Sequence, residues 1–488
     1  MPPSPVSATA PRRAFVVAAA LLLTWAGWPA DVAGEPPSAT ASQAATDVLA
    51  LLTGDDADLR QVALDRIRHG LRGEQFTTAV AEVLPRLAAA EQRAVLLALA
   101  DRGDPAAVAA ATAAAGRSTD DGVRAAAVAV IGRLGGADDV GTLVASLAAG
   151  GAAQDAARRG LVEIRGPGVA EAIRDAAGPA ATAGPAATAG PAATAGPAAA
   201  RPTVIDVLAE RRDREAVPLL VTAAVADEPA VRGAAMRALG VFGGAAEVPT
   251  MVASLVKASG EERTAAERGL VAVCTSGRQA AAATEALVGA YAAADAAARR
   301  TILPALARVG GPKVMVIVDA MLADPATRAQ GLDALSKWPD ATVKDRLLEL
   351  LGGTTDPQEK ELVLGTLIRI APLPDNKLSD GQKLELLQKT MGLCDRTEDK
   401  ARVLERANAI RTIETFRFVV PYLDEPALAE PACRSVVELA HHQKLRDAHK
   451  QEFTAALDKV LGLTKNAELR ERATRYKAGQ TWDRKKKG

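Results

Sequence analysis

Glu438, His442 and His449 stand at positions i, i+4 and i+11, and on one unbroken helix they would share a face. Two imidazoles and a carboxylate are the donor types of a transition-metal site. The set is minimal, its surroundings are of ordinary surface composition, and a new helix starting near Leu445 would scatter it. Solvated or capping roles are therefore expected for all three, with no metal and no cofactor. Cys274, Cys394 and Cys433 are the only thiols; they lie far apart, without Cys-x-x-Cys spacing or a haem-attachment motif. Each sits in an apolar helical stretch, so buried free thiols are the expectation, and Cys394 with Cys433 is the one pair that could bridge. Nucleophile elbows, phosphate-binding glycine loops, His-Glu-x-x-His and dinucleotide fingerprints are missing, and no catalytic residue is assigned.

The elements that would position any site are helices, and they repeat. Leu99 to Val162 returns as Leu208 to Val271 with an offset of 108 or 109 residues: Val123-Arg-Ala-Ala-Ala reappears as Val231-Arg-Gly-Ala-Ala, and Arg159-Gly-Leu-Val as Arg268-Gly-Leu-Val. Leu59, Val62, Ala63 and Ile67 show the helical period, and strand patterns are almost absent. Breaks fall at Gly103-Asp-Pro, Gly135-Gly, Gly243-Gly, Gly310-Gly-Pro, Asp324-Pro and Asp356-Pro. Gly in the left-handed conformation ends a helix and Pro opens the next, so short turns fold consecutive helices antiparallel. The spacing predicts an all-α solenoid of stacked helix pairs, each burying its apolar side on its neighbours.

Two segments depart from this pattern. Gly178 to Ala199 repeats Gly-Pro-Ala-Ala-Thr-Ala and offers nothing large to bury, so 178–202 is expected to be a disordered, low-complexity linker or loop between repeats at 35–177 and 203–480. At the start, Arg12-Arg13 precede the uncharged run Ala14 to Trp28 and small residues around Ala30 and Gly34, which predicts a signal peptide over 1–34. That run has 15 residues, short of the roughly 20 that span a bilayer, so no integral membrane segment is expected after cleavage. The expected location is the periplasm, the cell envelope or the exterior. The tail 481–488 is basic but short, and no role is assigned to it.

Charge and aromatic content narrow the function classes. Lys plus Arg and Asp plus Glu both number 59, so no global field gathers nucleic acid or an anionic membrane. Aromatics make up 3% of the chain, leaving few stacking platforms for bases or sugars.

Asp227-Glu-Pro-Ala-Val-Arg-Gly-Ala-Ala-Met-Arg-Ala-Leu-Gly240, followed by Val248-Pro-Thr-Met-Val-Ala-Ser-Leu255, resembles a HEAT repeat of the phycobilisome-lyase type. Asp56 to Arg60, Thr119 to Arg124 and Asp324 to Arg328 are similar starts, and Glu398 to Ala440 resembles the closing repeats of exported bacterial HEAT-repeat proteins. The resemblance implies a scaffold whose concave face, built from the second helix of each pair, binds a protein or another extended partner without catalysis. Its alternative implication is a lyase-like enzyme subunit with a small-molecule site. The di-iron hydroxylases with similar repeats use His-Glu dipeptides, and none occurs here. Asp120, Asp227 and Asp324 are expected to cap helices, while Arg124, Arg232 and Arg328 should reach a neighbouring repeat's carboxylate in an interior ladder.

Overall fold

Apolar residues at helical spacing, interrupted by Gly, Pro or an N-cap, leave the chain little choice but a succession of short helices. The computed structural model describes residues 38–482 apart from 55, 71–72, 149, 180–195, 277–278 and 375–376; every described element is helical, with no strand among the described residues. The expected signal peptide, most of the low-complexity segment and the tail beyond Trp482 lie outside the described residues. The helix Gly196–Arg211 begins inside the stretch 178–202 expected as linker, because its buried Val204, Ile205, Val207 and Leu208 extend an Ala-rich start into packed helix. None of the described helices is long and apolar enough to cross a membrane.

Two units divide the described residues. One runs to Ala172 and takes in Gly196–Pro197; the other holds Ile173–Pro179 and everything from Ala198 onward. In the first, Ala57–His69, Ala89–Arg102, Asp121–Leu134 and Gly151–Glu163 stack successively, and Ser38–Leu52, Glu74–Val83 and Ala107–Arg117 form the layer beside them. In the second, Pro229–Phe242, Gly260–Thr275, Ala296–Val309, Arg328–Ser336, Pro357–Ile370, Thr397–Ala407 and Ala429–His441 stack in the same way. Each core is therefore a line of neighbour contacts filled by Leu, Ile, Val and Ala.

The duplicated blocks share one close helix crossing. A Cβ added to Gly132 would lie 2.3 Å from Gly160 Cα, and one added to Gly240 would lie 2.8 Å from Gly269 Cα. The two glycine pairs are the same positions one duplication apart, and they let successive second helices touch backbone to backbone. Gly135 and Gly243 end their helices in extended conformation (φ −73° and −64°), not the left-handed one expected. They are glycine for lack of room: a Cβ would meet Ile131 O at 2.5 Å and Leu239 O at 2.6 Å. The left-handed stop occurs at Gly103 (φ 80°), and the matching position in the second block is Arg212, at φ 56°.

Candidate functional site

The recurrent side chain of the turns is arginine. Six arginines, each near the start of a helix, donate to the carbonyl six residues earlier: Arg60 to Gly54 at 2.7 Å, Arg124 to Ser118 at 3.2 Å, Arg232 to Ala226 at 2.8 Å, Arg328 to Leu322 at 2.9 Å, Arg446 to Ala440 at 2.9 Å and Arg470 to Thr464 at 3.2 Å. These carbonyls end the preceding helix or lie just past it, where no intrahelical partner exists, so the guanidinium closes the turn. Arg232 also donates to Glu262 at 2.6 and 3.1 Å, and Arg328 donates to Glu359 at 3.3 Å, both on the next second helix. The hydrogen bond that Arg232 donates to Glu262 raises the Arg232 pKa above the usual guanidinium value.

The expected ladder holds at those two positions and fails at the third. Arg124 pairs with Asp121 of its own helix at 3.2 Å, because Ala153 stands where the second block has Glu262. Asp121 instead accepts from the Ala152 backbone N–H of the neighbouring helix at 3.2 Å. The caps divide similarly. Asp120 caps Val123 N at 2.9 Å, but Asp227 makes no side-chain cap to its helix, where Glu228 takes the N-cap position ahead of Pro229. Asp324 holds a turn through Ala326 N at 2.9 Å, short of the helix Arg328–Ser336.

Charged pairs also link successive second helices on their exposed side. In the first unit Asp101 receives Arg68 at 3.3 Å and Arg133 at 2.9 Å, so three stacked helices share one acidic bridge. In the second, Asp206 meets Arg237 at 2.9 Å, Glu267 meets Arg308 at 2.5 Å and Glu405 meets Arg434 at 3.0 Å, while Glu438 meets the buried Arg472 at 2.7 Å.

Two cavities lie at such bridges. One, of about 510 Å³ in the first unit, is lined by Arg68, His69, Asp101, Arg102 and Asp104. Arg102 there donates to Thr77 Oγ1 at 2.8 Å and Ile67 O at 3.1 Å and covers the Phe76 ring, while Thr77 donates to Asp104 at 2.6 Å. Its network clamps a turn. The other, of about 500 Å³, lies where Ala429–His441 meets Ala467–Lys477, and is lined by Arg434, Glu438, His441, Asn466, Glu468, Leu469, Arg472 and Trp482. The Arg472 guanidinium sits between the Trp482 and Tyr476 rings at 5.0 and 5.8 Å. Burial opposes its charge, yet hydrogen bonds to Glu438 and Tyr476 hold its pKa above the usual value. The same Arg472 hydrogen bond holds the Glu438 carboxyl below the usual carboxylate range.

Glu438, His442 and His449 do not come to share a helix face. The helix Ala429–His441 stops, His442 turns the chain at φ −77° and ψ 92°, and a short helix Gln443–Ala448 intervenes before His449 opens Lys450–Leu463. Glu438 is taken by Arg472, and His449 Nδ1 lies 3.7 Å from Glu452. Burial, with Arg411 and His441 nearby, pushes the His442 pKa down. Among the described residues no three His, Cys, Asp or Glu side chains gather as a metal set. His441 finds Tyr476 Oη at 2.9 Å, a partner outside any sequence motif. All three cysteines are buried and unbridged, and burial pushes each thiol up to about 11, so none is a ready thiolate.

Residues 188–271 match the family of HEAT repeats. No curated protein matches the chain. Among solved structures, a karyopherin bound to the extreme C-terminus of a protein phosphatase is 12% identical, with a TM-score of 0.45, covering 92% of this chain and 56% of its own. Importin beta is 12% identical with a TM-score of 0.39, covering 89% of this chain and 66% of its own. The chain thus spans little more than half the length of that karyopherin.

Proposed function

We propose that this HEAT-repeat solenoid is a noncatalytic scaffold that binds a protein or another extended partner along the exposed side of its second helices. The observation that carries the reading is the regular display of paired charges there, from Asp101 with Arg68 and Arg133 to Glu405 with Arg434. Such a row offers an extended partner the same kind of polar contact at every step, so affinity accumulates over repeats without any single deep site. Because exposed pairs contribute little to stability, roughly 0–1 kcal/mol each, they are free to exchange partners at low cost. The test is capture of the tagged protein from its native cells with crosslinking. Crosslinks to one partner should fall on several successive second helices, and Asp101→Lys or Arg133→Glu should weaken capture. A partner mapping only to turns, or no loss with charge reversal, would overturn the reading.

Export is the second part of the proposal, supported by Arg12-Arg13, the apolar run Ala14 to Trp28 and the small residues that follow. The mature N-terminus should then begin just after Ala30 or Gly34 in an envelope or extracellular fraction. An intact start in the cytosol would defeat it.

A further inference from the structure

We propose that the cavity between Ala429–His441 and Ala467–Lys477 binds a small zwitterion, a molecule carrying an ammonium and a carboxylate on an apolar frame, such as an amino acid or a free-ended dipeptide. It goes beyond the scaffold reading, since its ligand is small and its cavity lies at one end of the second unit, sharing Arg434 with the charged row. Arg472 is only 6% exposed and lines this cavity. Its Nη1 serves Glu438, its Nε reaches Tyr476 Oη at 3.4 Å, and two aromatic rings bracket it. Its Nη2 has no hydrogen-bond acceptor among the described residues. A guanidinium held in one plane, with a donor that no protein group occupies, is preorganised for a carboxylate oxygen.

Arg434 lines the same cavity, with Nη1 on Glu405 and no acceptor among the described residues on its other nitrogens. Glu468 supplies the opposite sign: half exposed, it lies 3.8 Å from Arg472 and makes no hydrogen bond among the described residues. A simple anion would meet Glu438 and Glu468, and a simple cation would meet Arg434 and Arg472. A molecule bearing both charges satisfies both sets, while Trp482 and Leu469 cover its apolar part. The volume of about 500 Å³ lies within the range of small-molecule sites.

Calorimetric titration of the full-length protein with the free amino acids and with the dipeptide Ala-Leu tests the proposal, against acetyl-Ala-Leu-amide as the uncharged control. At least one free-ended probe should bind, and the blocked dipeptide should bind at least tenfold more weakly than Ala-Leu. Arg434→Gln and Glu468→Gln, both at exposed side chains, should each weaken the bound probe at least tenfold while melting is unchanged. No binding by any free-ended probe, equal binding of blocked and free Ala-Leu, or binding indifferent to Arg434→Gln and Glu468→Gln would overturn it.

Discussion

Arg232 and Glu262 are both nearly buried, and Arg232 also satisfies the carbonyls of Ala226 and Asp227. Arg232→Ala therefore strands one carboxylate and two carbonyls, and should cost about 2 kcal/mol. Arg124→Ala, whose acidic partner is exposed and local, should cost less than half as much in the same melting assay. Equal losses would mean that the turn carbonyls, not the carboxylate, carry the effect. At Arg212, φ 56° holds an L-residue where the first block has Gly103, so Arg212→Gly should stabilise the second unit by about 1 kcal/mol. The Glu438 carboxyl, lowered by Arg472, contributes stability that is present above its unfolded pKa, roughly 4.3, and lost as pH falls through its lower folded value. Wild-type protein should accordingly lose more stability than Glu438→Gln on acidification below about pH 4, read by urea melts across pH. Residue-level chemistry was the least legible in the sequence. Glu438, His442 and His449 have helical spacing, but spacing is blind to the break at His442, and nothing local announces that Arg472, 34 residues later, claims Glu438.

Helix ends were legible because Gly, Pro and Asp act on the backbone within a few residues. Asp56, Asp120, Asp295 and Asp356 cap the helices they precede, whereas Asp227 and Asp324 fall short of theirs, whose N-cap positions are Glu228 and Thr327. What local rules could not supply is contact between helices. Gly132 and Gly240 read in sequence as ordinary interior glycines of an Ala-rich helix, yet each lies on a neighbouring helix's backbone. Gly132→Ala and Gly240→Ala should each destabilise by about 1–3 kcal/mol through forced separation of the stacked helices, although Ala is the better helix former. Gly116→Ala, with open space around its Cβ position, is the control and should not destabilise. A stabilised Gly132→Ala protein would contradict the close crossing.

At the scale of the molecule, the repeated block made the architecture readable: self-similarity over about a hundred residues demands stacking whatever the individual side chains do. The described residues divide into two units, each with its own row of neighbour contacts. Each unit should unfold as its own transition in calorimetry. Gly132→Ala should lower one transition and Gly240→Ala the other, and a single transition shifted equally by both would show the units to be one cooperative body.

The arginine that reaches back six residues has a consequence for descent. Its acceptors are carbonyls of the same turn, so any stretch of gene encoding a turn and its arginine carries its own clasp. Recombination that copies such a stretch delivers a joint already closed, with no second mutation required elsewhere. The carboxylate on the next helix is a separable addition: the first block, with Ala153 and Arg124 paired to Asp121, has the clasp alone, and the second has the clasp with Glu262. Lengthening by copying is thus open at each of the six turns that carry the clasp, and the 108-to-109-residue echo between the two blocks has the form such copying leaves.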